Sequence, residues 1–249
     1  MFYFGTNTKQ QLSKSLHEDV AEIASLLAKA NKDTQFFVLP ALPLVGDFKK
    51  LTFGSGLWIG SQRVSGKTEN ITGEISAQLL NEIDADMVMV GHAERRALGE
   101  NQAEINRQLS ELIKNKLQIL YCVGEEKIEK KIENRKEFLV EQLKVIKDLE
   151  IEKAILAYEP VWAIGVNGTP AEPNYVEESM NLIKIILKEM GKDLNKFPVL
   201  FGGSVNIENA KAFAALKSCD GLFVGRSAWS KDGFRNVYEK ARAGFKSKE

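Results

Sequence analysis

"KAILAYEPVWAIGVNGTP", residues 153–170, carries the chain through an apolar run to a carboxylate, Glu159, and sets a proline directly after it. The run "AILAY" does not alternate apolar with polar positions, so it reads as a strand buried on both faces, the habit of parallel sheets. The segment that follows, "VWAIGVNG", is too apolar for an ordinary solvent turn. The stretch therefore describes a buried strand that delivers a charged side chain to its own end and covers it with a hydrophobic flap.

Outward from this stretch the same arrangement recurs along the whole chain. Continuous apolar runs stand at 2–5, 35–40, 57–60, 87–91, 117–124, 153–158, 198–203 and 221–225. Each is followed by apolar residues at helical spacing: Leu12, Leu16, Val20, Ile23 and Leu27 after the first, and Val176, Met180, Ile183, Leu187 and Met190 after the sixth. Strict strand–helix alternation means a parallel sheet with crossover helices. Eight such units in 249 residues match a (β/α)8 barrel better than a doubly wound sheet. No Pro-, Gly- or Ser-rich linker divides the chain, so residues 1–249 are expected to form one domain. The segment "EEKIEKKIENRKE" (125–137) is expected to be a charge-dense helix with a solvated face.

Composition excludes several function classes. Thirty-four basic and thirty-four acidic side chains cancel, so nothing points to nucleic acid or an anionic membrane surface as partner. No run approaches the roughly 20 apolar residues of a membrane span, and the N-terminus lacks the pattern of a signal peptide. Two cysteines, Cys122 and Cys219, form neither a disulfide framework nor a metal-ligand spacing, which favours a reducing, cytoplasmic location.

In barrels of this kind the chemistry gathers at the C-terminal ends of the strands. The polar residues found there are Asn7 and Lys9, His92 and Glu94, Glu125, Glu159, Ser204 and the turn at 225–227. Glu159 makes the strongest individual case, because carboxylates are seldom buried unless paired or functional, and an apolar lid raises their proton affinity into the range of a useful base. His92 closes "MVMVG" and opens a helix; a polar residue satisfying backbone groups there is the plain alternative. A helix N-terminus favours the neutral imidazole, able to donate a hydrogen bond. His17, the other histidine, is placed on the solvent face of its helix. Lys9 alone reads as a surface lysine, and gains meaning from sharing a rim with His92 and Glu159. Glu94 either pairs with Lys9 or simply favours the positive end of its helix. The turns "FGGS" and "VGRS", ending adjacent strands, are suited to hold phosphate by backbone N–H groups.

Taken together these motifs are similar to those of the triosephosphate isomerase family over essentially the full length. "TNTK" (6–9), "GHAERR" (91–96), "YEPVWAIG" (158–165), "FGGSV" (201–205) and "DGLFVG" (220–225) stand in the family's order, and "TGE" (72–74) resembles the tip of its subunit-docking loop. The resemblance implies a TIM barrel that interconverts dihydroxyacetone phosphate and D-glyceraldehyde 3-phosphate without cofactor. In it Glu159 moves a carbon-bound proton, His92 polarises the carbonyl, Lys9 supplies positive charge, Asn7 adds a donor and Glu94 partners Lys9. Gly165, Ser204, Gly225 and Arg226 would bind phosphate through backbone N–H groups, beside Asn7 and Lys9. Pro160, Val161 and Trp162 would form the near hinge of the flap, and Gly168, Thr169 and Pro170 the far one. Thr72 and Glu74, at the end of the polar stretch "QRVSGKTENITGE", would meet a second copy of the chain in a homodimer. Several positions depart from the family's usual residues: Thr8 for Trp, Arg63 for Asn, Ala93 for Ser, Arg226 for Gly, and "VNGTP" with Phe201 at the flap's closing half. Phe201 and Pro170 are therefore expected to give a closed state latched in a different way. A different phosphosugar isomerase or an aldolase-type barrel is an alternative from the same fold; an aldolase forming a Schiff base would want a lysine within a barrel strand, and no central strand offers one. A catalytically inactive barrel serving as a binding or scaffold protein is the other reading, opposed by intact Lys9, His92 and Glu159.

Overall fold

Eight strands close on themselves in the order of the chain, all parallel. They are β1 (Phe2–Asn7), β2 (Thr34–Leu39), β3 (Trp58–Ser61), β4 (Met87–Val90), β5 (Gln118–Val123), β6 (Ile155–Tyr158), β7 (Val199–Phe201) and β8 (Gly221–Val224). The computed structural model describes residues 1–10, 13–164 and 168–248. Among these, the helices are α1 (Lys14–Ala30), α2 (Val45–Leu51), α3 (Ala77–Glu82), α4 (Ala93–Ala97), α5 (Gln102–Lys114), α6 (Ile132–Asp148), α7 (Pro173–Glu189), α8 (Ala210–Ala214) and α9 (Lys231–Lys246). Closure is made by β8 pairing with β1, Tyr3 opposite Gly221 and Thr6 opposite Val224. The architecture is the (β/α)8 barrel expected from the alternation of runs.

Both faces of the strands are buried, which is why the runs show no period of two. Inward side chains such as Phe37, Met89, Leu120, Ile155 and Leu200 fill the barrel's interior. Outward ones such as Phe4, Val88, Tyr121, Leu156 and Val199 pack under the helices. Serine and asparagine side chains cap helix starts: Ser13 accepts from Leu16 N–H, Ser76 from Leu79 N–H and Asn101 from Glu104 N–H.

Two expectations need correction. In α1 the buried stripe is His17, Val20, Ala21, Ile23, Ala24 and Ala28, and Leu16 is 39% exposed. The alanines let the helix lie close to the barrel, rotating it so that His17 is buried rather than solvent-facing; Leu12 lies outside the described residues. In the charged segment 125–137 the helix starts only at Ile132, and both Glu125 and Arg135 are buried. Among the described residues no helix is long and apolar enough to cross a membrane, and no cluster of three or more His, Cys, Asp or Glu side chains is placed to hold a metal ion.

Candidate active site

A cavity of about 240 Å3 opens at the C-terminal ends of the strands, and Asn7, Lys9, His92 and Glu159 all line it. Three strand ends, those of β1, β4 and β6, thus bring together a cation and an amide, an imidazole, and a carboxylate that lie far apart in sequence.

Glu159 follows β6 directly, its N–H bonded to Val123 O at 2.7 Å, and it is 2% exposed. Its Oε2 accepts from the Ala93 N–H at 3.2 Å, and its Oε1 stands 3.6 Å from His92 Nε2. Burial pushes its proton affinity above that of an ordinary carboxylate, against the opposing pull of His92, the Ala93 N–H and Lys9. The turn after β7 must lack a side chain for this to work: a Cβ on Gly202 would lie 2.9 Å from Glu159 Cγ. Cys122, from β5, touches the same carboxylate, and burial together with the charge of Glu159 lifts its thiol well above the usual range. It is an inert wall rather than a nucleophile.

His92 sits at the N-cap of α4, and its Nδ1 accepts the Glu94 N–H at 3.1 Å. A nitrogen that accepts carries no proton, so the neutral ring bears its proton on Nε2, the nitrogen facing Glu159 and the cavity. Lys9 pairs with Glu94 across the rim. Its backbone adopts φ 53°, left-handed and unusual for a side-chain-bearing residue. The Asn7 side chain accepts the Lys9 N–H at 2.9 Å, while its amide nitrogen faces Met89 Sδ at 4.0 Å.

The opposite wall of the cavity is formed by Ser204, Gly225 and Arg226. Among the described residues the N–H groups of these three find no backbone acceptor, which leaves them as donors at the wall. Gly165 lies outside the described residues. The two segments expected to act as hinges touch one another: Thr169 N–H donates to Trp162 O at 3.0 Å, and a Cβ on Gly168 would lie 2.6 Å from the Ala163 carbonyl carbon. Ser204 Oγ donates to Ala163 O, joining the turn after β7 to the short 3-10 turn Val161–Ala163. Pro160 precedes the short 3-10 turn Val161–Ala163, and Val161 N–H donates to Glu125 O at 2.9 Å. Phe201 is fully buried and packs tilted against Phe213, with ring centroids 4.3 Å apart and an interplanar angle of 41°.

Some of this assembly was not assigned from the sequence. Glu125, counted among the strand-end polar residues but given no role, stands two residues beyond β5, and one of its oxygens accepts from Tyr158, Tyr175 and the Trp162 indole at 2.8, 2.7 and 3.1 Å. Its position after an apolar run was the available signal. Burial and the Glu125 carboxylate push the Tyr175 hydroxyl up to about 12. Trp229 donates to Asn7 O at 2.9 Å and Gln62 to Lys9 O at 3.0 Å, contacts with no local signature. In the polar loop after β3, Thr72 is exposed, whereas Glu74 pairs with Arg63 of the same chain at 2.8 Å.

The family model for triosephosphate isomerase matches residues 3–241. An L-erythrulose-1-phosphate isomerase from Mesorhizobium japonicum is 34% identical over 253 residues, covering 98% of each chain. One from Rhizobium etli is 35% identical, covering 97% of this chain and 92% of the relative. A probable triosephosphate isomerase 2 from Listeria monocytogenes is 32% identical, covering 93% and 91%. With the family model spanning nearly the whole barrel, the chain belongs to the triosephosphate isomerase family, as an isomerase of a phosphorylated sugar.

Proposed function

We propose that the chain interconverts dihydroxyacetone phosphate and D-glyceraldehyde 3-phosphate by proton transfer through an enediolate. The observation that carries the reading is the 3.6 Å approach of His92 Nε2 to Glu159 Oε1 on a cavity shared with Lys9. Glu159, made more basic by burial, takes the proton from the carbon beside the carbonyl. His92, protonated on Nε2, donates to the carbonyl oxygen and shuttles the proton between the two oxygens of the enediolate. Lys9 offsets the growing negative charge, held in place by Glu94, and Asn7 adds a donor beside it. Backbone N–H groups of Ser204, Gly225 and Arg226, with Gly165 from the flap, hold the phosphate. The flap, hinged at Pro160–Trp162 and Gly168–Pro170, excludes water while the enediolate exists, because a solvated enediolate phosphate loses its phosphate.

A four-carbon ketose phosphate is the second reading, favoured by the identity of 34–35% to L-erythrulose-1-phosphate isomerases. The same acid–base pair serves it, since both substrates carry a carbonyl and a hydroxyl on neighbouring carbons. Coupled assays on D-glyceraldehyde 3-phosphate and on L-erythrulose 1-phosphate, with Glu159→Gln as control, separate the two. Higher kcat/KM on the triose supports the first reading, and higher kcat/KM on the tetrose replaces it with the second. No turnover of either leaves the barrel as a binding protein.

A further inference from the structure

Thr8 and His17 belong to no part of the reaction described above, yet they lie directly behind Lys9. We propose that the Thr8 hydroxyl and the His17 imidazole are positioning residues that hold the Lys9 backbone, and through it the ammonium group, in its catalytic place.

The hydrogen-bond count fixes how they act. His17 Nδ1 lies 3.0 Å from Ser13 O, a carbonyl that can only accept, so Nδ1 carries a proton. In the neutral ring Nε2 is then an acceptor, and it stands 2.9 Å from Thr8 Oγ1. Thr8 also reaches Leu39 O at 3.3 Å, but that oxygen already accepts Thr8 N–H at 3.1 Å and Gln62 Nε2 at 3.0 Å. Both its lone pairs are engaged, so the single hydroxyl proton goes to His17. The ring is 1% exposed and meets Phe48 edge-on at 5.8 Å.

The relay runs from the cap of α1 at Ser13, through His17, to the residue before Lys9. Lys9 itself has its N–H on Asn7 and its carbonyl on Gln62. A left-handed backbone on a non-glycine residue is strained and persists only where surroundings impose it. Thr8 is fully buried, so its hydroxyl has no water to fall back on. Removing it leaves His17 Nε2 without a donor and lets the turn at Lys9 relax.

The test rests on the role given to Lys9, so it reads structure and turnover separately. In Thr8→Val, nearly the same shape without the hydroxyl, hydrogen exchange of the Lys9 amide should quicken about tenfold, reporting local opening. On the better of the two substrates above, kcat should fall roughly 10- to 100-fold, as expected for a misplaced catalytic group, with a smaller change in KM. Thr8→Ser should restore both. In a Lys9→Met background Thr8→Val should add no further loss, the signature of action through Lys9. His17→Gln, which can still accept from Thr8, should fall between, and replaces Thr8→Val if that variant does not fold. Unchanged amide exchange, or an equal loss of turnover with and without Lys9, overturns the proposal. If wild type turns over neither substrate, the isomerase reading fails and amide exchange alone decides the link.

Discussion

Glu159 illustrates how a site residue taxes the fold that carries it. Burial raises its proton affinity above that of the unfolded chain, so its folded form prefers to be protonated. The contribution to stability is complete below the ordinary carboxylate value and is lost as pH rises through the raised one. Glu159→Gln, which keeps shape and stays neutral, should therefore melt at a higher temperature than wild type at pH 7. The advantage should vanish below about pH 4, where both forms are uncharged. Thermal melts at the two pH values check this, and a lower melting point for Glu159→Gln at pH 7 would contradict it. Turnover should show the mirror image, with its acid limb above the ordinary carboxylate range because the base must be ionised. That Glu159, His92 and Lys9 share one cavity was legible in the sequence, since each follows an apolar run at the C-terminal end of its strand. His17 was not, because helical periodicity alone allows either of two neighbouring stripes of α1 to face the barrel.

At the scale of elements, the proposed flap would be governed by its two hinges. The near hinge is tied to β5 through Glu125, which gathers Tyr158, Tyr175 and Trp162 on one oxygen. The far hinge touches it at Gly168, where any side chain would collide with the Ala163 carbonyl. Gly168→Ala should force the hinges apart and lower kcat about tenfold or more, while leaving the melting temperature near wild type, because few buried contacts depend on it. The same variant should release more free phosphate per turnover, measured against product formed. Unchanged kcat and phosphate release would remove Gly168 from the hinge. Phe201 and Pro170 are proposed to set how the closed flap is latched, and Phe201→Tyr and Pro170→Ala should each alter the opening rate. The Glu125 cluster was not readable from the sequence, because its partners come from β6, the turn after it and α7. Only closure of the barrel brings them within hydrogen-bond reach of one carboxylate.

The whole molecule was the most legible scale, because eight continuous apolar runs separated by helical spacing leave few other ways to bury both faces of every strand. The polar loop 62–74 carries the remaining expectation. Thr72 and Ile71 at its tip are exposed, and Arg63 braces its base through Glu74 and Glu100. The chain is expected to sediment as a homodimer, with Thr72 and Glu74 at the contact, and a fully active monomer would contradict that arrangement. The central claim, that Glu159 moves a proton at the carbon beside a carbonyl, is tested most directly by isotope exchange. Dihydroxyacetone phosphate and, separately, L-erythrulose 1-phosphate are incubated with the protein in D2O, and deuterium on the carbons next to the carbonyl is followed by NMR. The account predicts enzyme-dependent incorporation into at least one of them, lost by roughly 100- to 10,000-fold in Glu159→Gln, the usual range for removing a general base. Incorporation that persists undiminished in Glu159→Gln, or that wild type fails to catalyse on either sugar, would contradict it.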